Sequence, residues 1–421
     1  MFQKNNIGYA LLLGLVFTLL LPQSILADEK GERIIRLLDK EHVNDEVLGT
    51  IEQLIKDGAD VNTVDADGYT PLIAAAAVGD VNTIKLLLKK GADINAANNG
   101  FTPLMLAGRN GRYEAAKYLI KKGAKINVKN IYKETPLHCA AQGALEDIVI
   151  MLVKKGADIN AKDEDGMTPL LYTTKNWLMD ASLLLIKKGA DVNVKDMDGN
   201  TPLLYAAKSS LQNVAIALVN KGAKINVKDE EGKPPLYFAM DFTMKKFFDK
   251  LVQKGANTDV ELPDGTTPIF FAAREGLNSS IKTLLKRGAD INENNKFEKT
   301  PLIVALENRK PKTALLLIKK GADVNAEDRD KGTPLLYATR LGLSDAAIAL
   351  IKKGADVNVT DKYKETPLIN ASEKGMLKVV KLLIKKGADV RHKDRDGATA
   401  LDYAKENKHK KVAKVLEAAV K

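Results

Sequence analysis

The chain is poor in cysteine, in aromatic residues and in long apolar segments. Its single cysteine, Cys139, cannot form an intrachain disulfide, so the fold must be held together by packing alone. Aromatic residues make up 5% of the 421 residues, and the periodic segments are built mainly from Leu, Ile, Val and Ala. No segment after residue 27 is apolar enough to cross a membrane. These absences exclude a disulfide scaffold and a protein with several membrane spans.

The first 27 residues have a composition of their own. Lys4 is followed by an apolar run from about Ile7 to Leu21, then by Pro22 and a short tail that ends at Ala27. This order predicts a secretory signal peptide that is cleaved after Ala27. An uncleaved anchor is the alternative, but about 15 apolar residues are fewer than the roughly 20 that span a bilayer. We therefore expect a secreted or periplasmic protein, with a Lys-, Asn- and Ile-rich composition typical of bacteria.

The rest of the chain repeats with a period of 33 residues, and one step of 32. Thr-Pro-Leu or a variant of it recurs at Thr70, Thr102, Thr135, Thr168, Thr201, Pro234, Thr267, Thr300, Thr333, Thr366 and Thr399. Gly-Ala recurs at Gly58, Gly91, Gly123, Gly156, Gly189, Gly222, Gly255, Gly288, Gly321, Gly354 and Gly387. The distance from each Thr to the next Gly is always 21 residues, so the missing residue lies in a connection and the helices keep their length.

Each repeat predicts two helices and a hairpin. Thr is a good N-cap and Pro suits the first helical position, so Thr-Pro opens a short first helix. A second helix such as "VNTIKLLLKKG" has apolar residues at helical spacing, lysines in its last turn and a final glycine. The polar connection "ADVNVKDMDGN" contains an Asp-Gly turn, which favours a β-hairpin. We call this connection, from Gly-Ala to the next Thr, the finger.

The pattern resembles the ankyrin repeat, whose signature stands in full as "TPLHCAA" at Thr135–Ala141. The resemblance implies an all-α ankyrin solenoid of stacked helix-turn-helix units with β-hairpin fingers. It also implies that fingers and first helices line a concave face that binds other proteins, and that the protein is not an enzyme. We expect about eleven repeats plus an N-terminal cap, arranged as residues 28–62 (capping half-repeat), 63–395 (ten repeats) and 396–421 (C-terminal cap).

The residues that could carry chemistry are isolated from one another. The four histidines fall in different repeats, at His42, His138, His392 and His409. The resemblance implies that His138 braces its turn, and Cys139 beside it points away because adjacent helical positions diverge. Fingers such as "KDMDGN" lack the closing Glu of a calcium loop. We therefore expect no catalytic site, no metal and no cofactor.

Basic pairs end nearly every second helix, and we call them the lysine ridge. They are Lys89-Lys90, Lys121-Lys122, Lys154-Lys155, Lys187-Lys188, Lys286-Arg287, Lys319-Lys320, Lys352-Lys353 and Lys385-Lys386. Cations at helix C-termini favour the helix dipole and keep the protein soluble, which is one interpretation. A binding site for a polyanion or an envelope surface is the other. Export and the lack of aromatics among the lysines argue against nucleic acid as a ligand, so we expect a protein partner. We also expect the protein to be a monomer.

Function is expected where the repeats differ. Three fingers replace the turn Asp-Gly by an aromatic and a charged residue, at Tyr132, Phe297 and Tyr363, and the charged residue takes a position that favours glycine. These rings are either partner contacts or packing on the neighbouring finger. The residue seven after the Thr is basic in five repeats, at Arg109, Lys175, Lys208, Arg274 and Arg340. It either faces an acidic partner or is simply solvated.

Four phenylalanines are concentrated in the segment 233–257. The register places Phe247 and Phe248 in the packed interior and Phe238 in an aromatic stripe, which we interpret as packing between repeats. The other members of the stripe are Tyr172, Tyr205, Phe271, Tyr337 and Tyr403. Phe242 stands at a mostly polar, exposed position, which makes it a candidate contact residue.

The same repeat departs most from its neighbours. Pro234 replaces the capping Thr, Thr243 replaces a helix-ending Gly, and Leu262-Pro263 enter the finger tip. We predict a locally weak layer here, which is either a hinge or the centre of the partner site.

Overall fold

A computed structural model describes residues 28–38 and 43–421. The predicted signal peptide, residues 1–27, and His42 lie outside these residues. The described part of the chain forms 24 α-helices and no strand, and none of these helices has the length and apolarity of a membrane span. It divides into two compact units, and the boundary lies between Lys224 and Ile225.

Both units are built from helix pairs. The helices of unit one are α1 (Glu29–Leu38), α2 (Asp45–Lys56), α3 (Pro71–Val78), α4 (Val81–Lys89), α5 (Pro103–Arg109), α6 (Tyr113–Lys121), α7 (Pro136–Gln142), α8 (Glu146–Lys154), α9 (Pro169–Lys175), α10 (Met179–Lys188), α11 (Pro202–Lys208) and α12 (Gln212–Asn220). The helices of unit two are α13 (Pro235–Asp241), α14 (Lys245–Gln253), α15 (Pro268–Glu275), α16 (Asn278–Lys286), α17 (Pro301–Glu307), α18 (Pro311–Lys319), α19 (Pro334–Arg340), α20 (Ser344–Lys352), α21 (Pro367–Glu373), α22 (Leu377–Lys385), α23 (Ala400–Glu406) and α24 (Lys410–Val420). First helices pack on neighbouring first helices, as α5 does on α3 and α7 and as α17 does on α15 and α19. Even-numbered second helices do the same, as α10 does on α8 and α12.

The predicted helix ends are confirmed. The Thr70 hydroxyl accepts the backbone N–H of Ile73 at 3.3 Å, and α3 begins at Pro71. Pro234 has no side-chain acceptor, so α13 lacks this cap, as its sequence predicts. Gly91 follows α4 with φ 91°, in the left-handed region that a glycine adopts without strain.

The fingers form hydrogen-bonded turns, and the described residues contain no strands that would make them the predicted β-hairpins. In the finger before Thr201, the backbone N–H of Asp196 donates to the Asn200 carbonyl and that of Gly199 to the Asp196 carbonyl, both at 3.1 Å. The described residues contain one isolated bridge, between Asn98 and Phe101. The N–H groups of Asp198 and Asn200 donate to the Asp196 carboxylate instead of to a second strand, so no strand pairing develops in this finger.

Side chains of asparagine fasten each finger to the next repeat. The Oδ1 of Asn127 accepts the backbone N–H of Asp158 at 2.9 Å, and its Nδ2 donates to the Gly156 carbonyl at 3.3 Å. The Oδ1 bond recurs at Asn62, Asn95, Asn127, Asn160, Asn193, Asn226, Asn292, Asn325 and Asn358, each four residues after the Gly of Gly-Ala. We call this series the asparagine ladder. Asp259 takes the equivalent place in unit two, and no hydrogen bond in the described part of the chain joins it to the N–H of Asp290.

The core consists of apolar side chains from both helix rows. Phe247 and Phe248 are fully buried, which confirms their predicted place, and the Phe248 ring lies 4.6 Å from that of Phe271. These rings fill the interior of the most divergent repeat, so they are not available to a partner.

Candidate functional site

The three predicted aromatics lie exposed at finger tips. Tyr132, Phe297 and Tyr363 are 38%, 59% and 46% exposed. The residue after each ring adopts φ 60°, as predicted from its glycine-favouring position: Lys133, Glu298 and Lys364. The tips therefore present large apolar groups on turns that carry modest backbone strain.

Backbone hydrogen bonds hold these tips in place. The carbonyls of Tyr132, Phe297 and Tyr363 accept the backbone N–H of the residue at the next tip, at 2.9, 3.3 and 3.1 Å: Glu164, Arg329 and Arg395. The Tyr132 ring also packs edge-on against Phe101, with centroids 6.0 Å apart. Within the described residues, the other two rings have no aromatic neighbour. In the described part of the chain, contact with another aromatic ring is therefore found for Tyr132 alone of these three, and the Tyr363 ring lies 5.4 Å from Nζ of Lys362 in its own tip.

The tyrosines of the aromatic stripe close their own fingers. The hydroxyl of Tyr205 donates to Oδ2 of Asp196 at 2.6 Å, while Oδ1 of the same carboxylate accepts the N–H groups of Asp198 and Asn200. The same bond to an Asp nine residues earlier is made by Tyr172, Tyr337 and Tyr403, at 2.8, 2.6 and 2.8 Å.

These hydrogen bonds affect the pKa of the tyrosines and also the structural role of the aromatic stripe. Burial and then the hydrogen bond to Asp196 raise the pKa of Tyr205, and the bond to Asp394 raises that of Tyr403 to about 12. Where Leu262 replaces the Asp, Phe271 replaces the Tyr, so the polar pair becomes an apolar one. The predicted packing between repeats is confirmed, because Tyr172 lies edge-on to His138 of the preceding repeat and Phe271 contacts Phe248 of the preceding repeat. The stripe tyrosines add a hydrogen bond within their own repeats to this packing.

Two of the five basic residues brace the following finger. Arg109 lies 2.6 Å from Oε1 of Glu134 and 3.1 Å from Oε1 of Gln142. Glu134 is buried and also accepts from Asn130 at 2.6 Å, so it needs this cation to offset its desolvation. In unit two, Arg340 forms an ion pair with the buried Asp361.

The other three basic residues also lie at the ends of first helices. Arg274 lies 3.3 Å from Glu275 and over the ring of Phe271, and Lys175 lies 5.8 Å from the centroid of Tyr205. Lys208 is half-buried at the end of α11. The five residues therefore occupy one register position, and Arg109 and Arg340 have structural partners there that the sequence did not reveal.

Phe242 is 45% exposed at the C-terminal end of α13, as predicted. Its ring stacks on the buried Phe238, with centroids 6.3 Å apart and an interplanar angle of 15°. It is therefore half of a ring pair, not a residue without structural explanation. In the same repeat, a cleft of about 600 Å³ is lined by Pro234, Tyr237 and Leu262, among others.

Thr243 distinguishes this repeat less than expected. It has φ 54°, but five other repeats place a residue other than glycine in the left-handed region at the same position: Ala144, Trp177, Ser210, Arg309 and Lys408. The interrupted asparagine ladder at Asp259 is the stronger sign of a weak layer.

Trp177 is a prominent exposed side chain that sequence reasoning missed. It is the only tryptophan of the chain, is 70% exposed and has φ 62°. Its Nε1–H donates to the hydroxyl of Ser209 at 2.8 Å, so the indole lies across the end of the next first helix. The signal was present in the sequence, because this position is glycine in repeats such as those with Gly79 and Gly276.

His138 is a structural histidine. Its Nδ1 lies 2.9 Å from the Thr135 hydroxyl, and its Nε2 lies 3.1 Å from the Ala161 carbonyl and 3.2 Å from that of Met167. Burial lowers the pKa of His138 and raises that of the buried Cys139. A thiol that stays protonated is a poor nucleophile, so this pair is unsuited to covalent chemistry. Across the described ranges, no three His, Cys, Asp or Glu side chains could share a metal ion.

The basic pairs of the lysine ridge are exposed at the ends of the second helices. None of their side chains forms an ion pair with another described residue. Lys122 lies 5.5 Å from the ring centroid of Tyr118. Within each unit, the basic pairs are therefore solvated cations.

A comparison with protein families supplies independent information. A family model described as ankyrin repeats, in three copies, matches residues 42–130, 137–229, 176–261, 236–328, 269–361 and 335–419. No curated protein matches the chain.

Proposed function

The chain belongs to the ankyrin-repeat family, and on that basis we propose that it is an exported scaffold that binds a protein partner. Ankyrin repeats generally mediate protein–protein interaction and are typically not enzymes. Residues 28–62 and 396–421 would cap ten full repeats, residues 63–395, and the protein would act as a monomer without cofactor or nucleic acid. The observation that carries the proposal is the set of exposed rings at finger tips and first-helix ends, held in fixed positions by backbone and ring contacts.

Export rests on the apolar run and on the small residue at Ala27. Expression of the full chain in a bacterial host, followed by fractionation and N-terminal sequencing, tests it. We expect the protein outside the cytoplasm with Asp28 as its first residue. A cytoplasmic protein that retains Met1 would contradict this part of the proposal.

Partner binding is proposed for the concave face of fingers and first helices. Phe242 tests it best, because its ring is half-exposed and its removal leaves the buried Phe238 in place. We expect Phe242→Ala to remain folded, with a loss of no more than about 1 kcal/mol from the broken ring pair, and to weaken capture of a stoichiometric partner from periplasmic or host extract. Lys374→Ala, an exposed side chain at the same register position, is the matched control. Equal capture by both variants would remove Phe242 from the site.

Binding of a polyanion through the lysine ridge is a second candidate. It is favoured by the exposure of the pairs and by their lack of ion-pair partners among the described residues. Heparin affinity chromatography of the mature chain tests it, since polyanion binding through many cations falls steeply with salt. Retention above physiological salt would support this function, and elution well below it would leave the pairs as solubilising helix ends.

A further inference from the structure

The charge of the finger tips changes sign along the chain. A tip is here the three residues that stand four, three and two positions before the Thr of each repeat, such as 131–133. The first seven tips carry one basic residue, Lys133, and seven acidic ones: Asp67, Glu164, Asp165, Asp198, Glu230, Glu231 and Asp264. The last four tips carry three acidic residues, Glu298, Asp330 and Asp396, and six basic ones: Lys296, Arg329, Lys331, Lys362, Lys364 and Arg395.

The carboxylates of the last four tips are mostly neutralised within the tips. Glu298 pairs with Arg329 at 3.5 Å, and Asp330 pairs with Lys362 at 3.3 Å. Lys331, Lys364 and Arg395 are exposed and form no ion pair with any described residue. The positive charge of this surface is therefore unbalanced.

Two of these cations stand where other fingers have glycine. Lys331 and Lys364 both adopt φ 60°, at a cost in backbone strain that the Asp-Gly turns avoid. Phe297 and Tyr363 lie exposed at the same edge of unit two, on tips whose carbonyls are bonded to the next finger. Strain, charge and exposed rings coincide in these tips, and turn chemistry explains none of them.

We propose that the tips of the last four fingers dock an acidic segment of a partner protein. Its carboxylates would face Lys331, Lys364 and Arg395, and its apolar side chains would pack on Phe297 and Tyr363. This inference rests on the proposed scaffold function and names its contact surface and the chemistry of the partner. Charge complementarity with the exposed cations requires a negatively charged partner segment. The exposed rings require that this segment also carry apolar side chains between its charges.

A protein segment fits this surface better than a polyanion. Phe297 and Tyr363 lie exposed among the cations, and a uniformly charged polymer has no apolar groups to pack on them. A second copy of the chain is a weaker occupant, because four of the seven acidic residues of the other tips, Asp67, Asp165, Asp198 and Asp264, are the Asp of Asp-Gly turns and are accounted for by turn chemistry.

The test uses substitutions that favour the turn. In Lys331→Gly/Lys364→Gly, both positions receive the residue that other fingers have there, so the fold is retained while two cations are lost. Lys133→Gly makes the same change in unit one and is the matched control. Circular dichroism and urea midpoints establish that all three proteins are folded.

The probe is a displayed library of random short peptides, selected on the mature chain. We expect the selected peptides to be rich in Asp and Glu with an aromatic or aliphatic residue, and to bind the double variant about tenfold more weakly but the control equally. Neutral selected peptides, or acidic ones that bind the double variant equally, would overturn the inference. If they instead lose binding in Phe242→Ala, the scaffold function stands and only this surface fails.

Two further outcomes would also overturn it. One is tip-dependent binding of heparin without selection of acidic peptides, which would assign the surface to a polyanion. The other is self-association in sedimentation velocity that the double variant abolishes, which would make a second copy the occupant.

Discussion

The interrupted asparagine ladder makes a specific prediction about unit two. Asp259 stands where nine other repeats have an asparagine that bonds the next repeat. A carboxylate there lacks the amide donor and would place negative charge against the Gly288 carbonyl. We expect Asp259→Asn to restore the bond from the N–H of Asp290 and to stabilise this layer.

The stabilisation expected from Asp259→Asn can be estimated from the hydrogen bonds of the other asparagines in the ladder. Each has an Oδ1 acceptor bond of 2.8–2.9 Å, and Asn325 and Asn358 add an Nδ2 donor bond to a glycine carbonyl at 3.4 and 3.1 Å. Both bonds lie at the surface, so each contributes toward the lower end of the usual range, and the two together give about 1 kcal/mol. In amide exchange this corresponds to about fivefold greater protection of the Asp290 N–H.

Hydrogen exchange is the better assay, because repeat arrays need not unfold in one step and a global midpoint dilutes a local effect. Asn325→Asp in the same unit is the matched reversal and should lower the protection of the Asp356 N–H. Unchanged exchange at Asp290 in Asp259→Asn would refute the view that the missing rung weakens this layer.

Four other predictions concern single side chains. Tyr205→Phe removes the hydroxyl that bonds Asp196 and should lower the free energy of local opening of this finger by about 1 kcal/mol in hydrogen exchange; unchanged exchange would show that the bond does not stabilise the finger. Pro234→Thr should restore the missing N-cap and raise the free energy of unfolding by about 1 kcal/mol in urea titrations, whereas a decrease would mean that the proline is needed at this turn. Burial lowers the pKa of His138, so the stability it contributes is complete above about pH 6.5 and is lost as pH falls toward the lowered value. His138→Leu should therefore be less sensitive to acid between pH 8 and 5 in urea midpoints, and identical pH profiles would contradict the assignment. Trp177, the only tryptophan, should be readily quenched by acrylamide in the free protein and protected by a partner that covers the first-helix ends; if partner binding leaves the quenching unchanged, that partner does not cover Trp177.

The features that the sequence predicted are those set by local rules. Helix ends follow from Thr-Pro and glycine, which act within one turn of the chain. The burial of Phe247 and Phe248 follows from the register, because one repeat constrains all the others. The 33-residue period therefore transfers information from regular repeats to the divergent one.

The features that it did not predict depend on side-chain partners. The bond between Tyr205 and Asp196 spans nine residues and requires the finger to fold back on its own helix. Arg109 and Arg340 looked like groove cations, but the carboxylates that they meet belong to the following finger. The repeat period did not draw attention to Trp177 either, because this tryptophan is a single substitution at one position of the repeat.

The asparagine ladder is counted from the end of the second helix, not from the finger tip. The repeat with the deleted residue illustrates this, because Asn95 still bonds Lys125 at 2.8 Å although its finger is one residue short. Tip length is thereby uncoupled from the spacing of the repeats. A longer loop grafted between the ladder asparagine and the following Thr should thus leave adjacent helix pairs in register. The finger tips can therefore be redesigned without changing the helices that carry them.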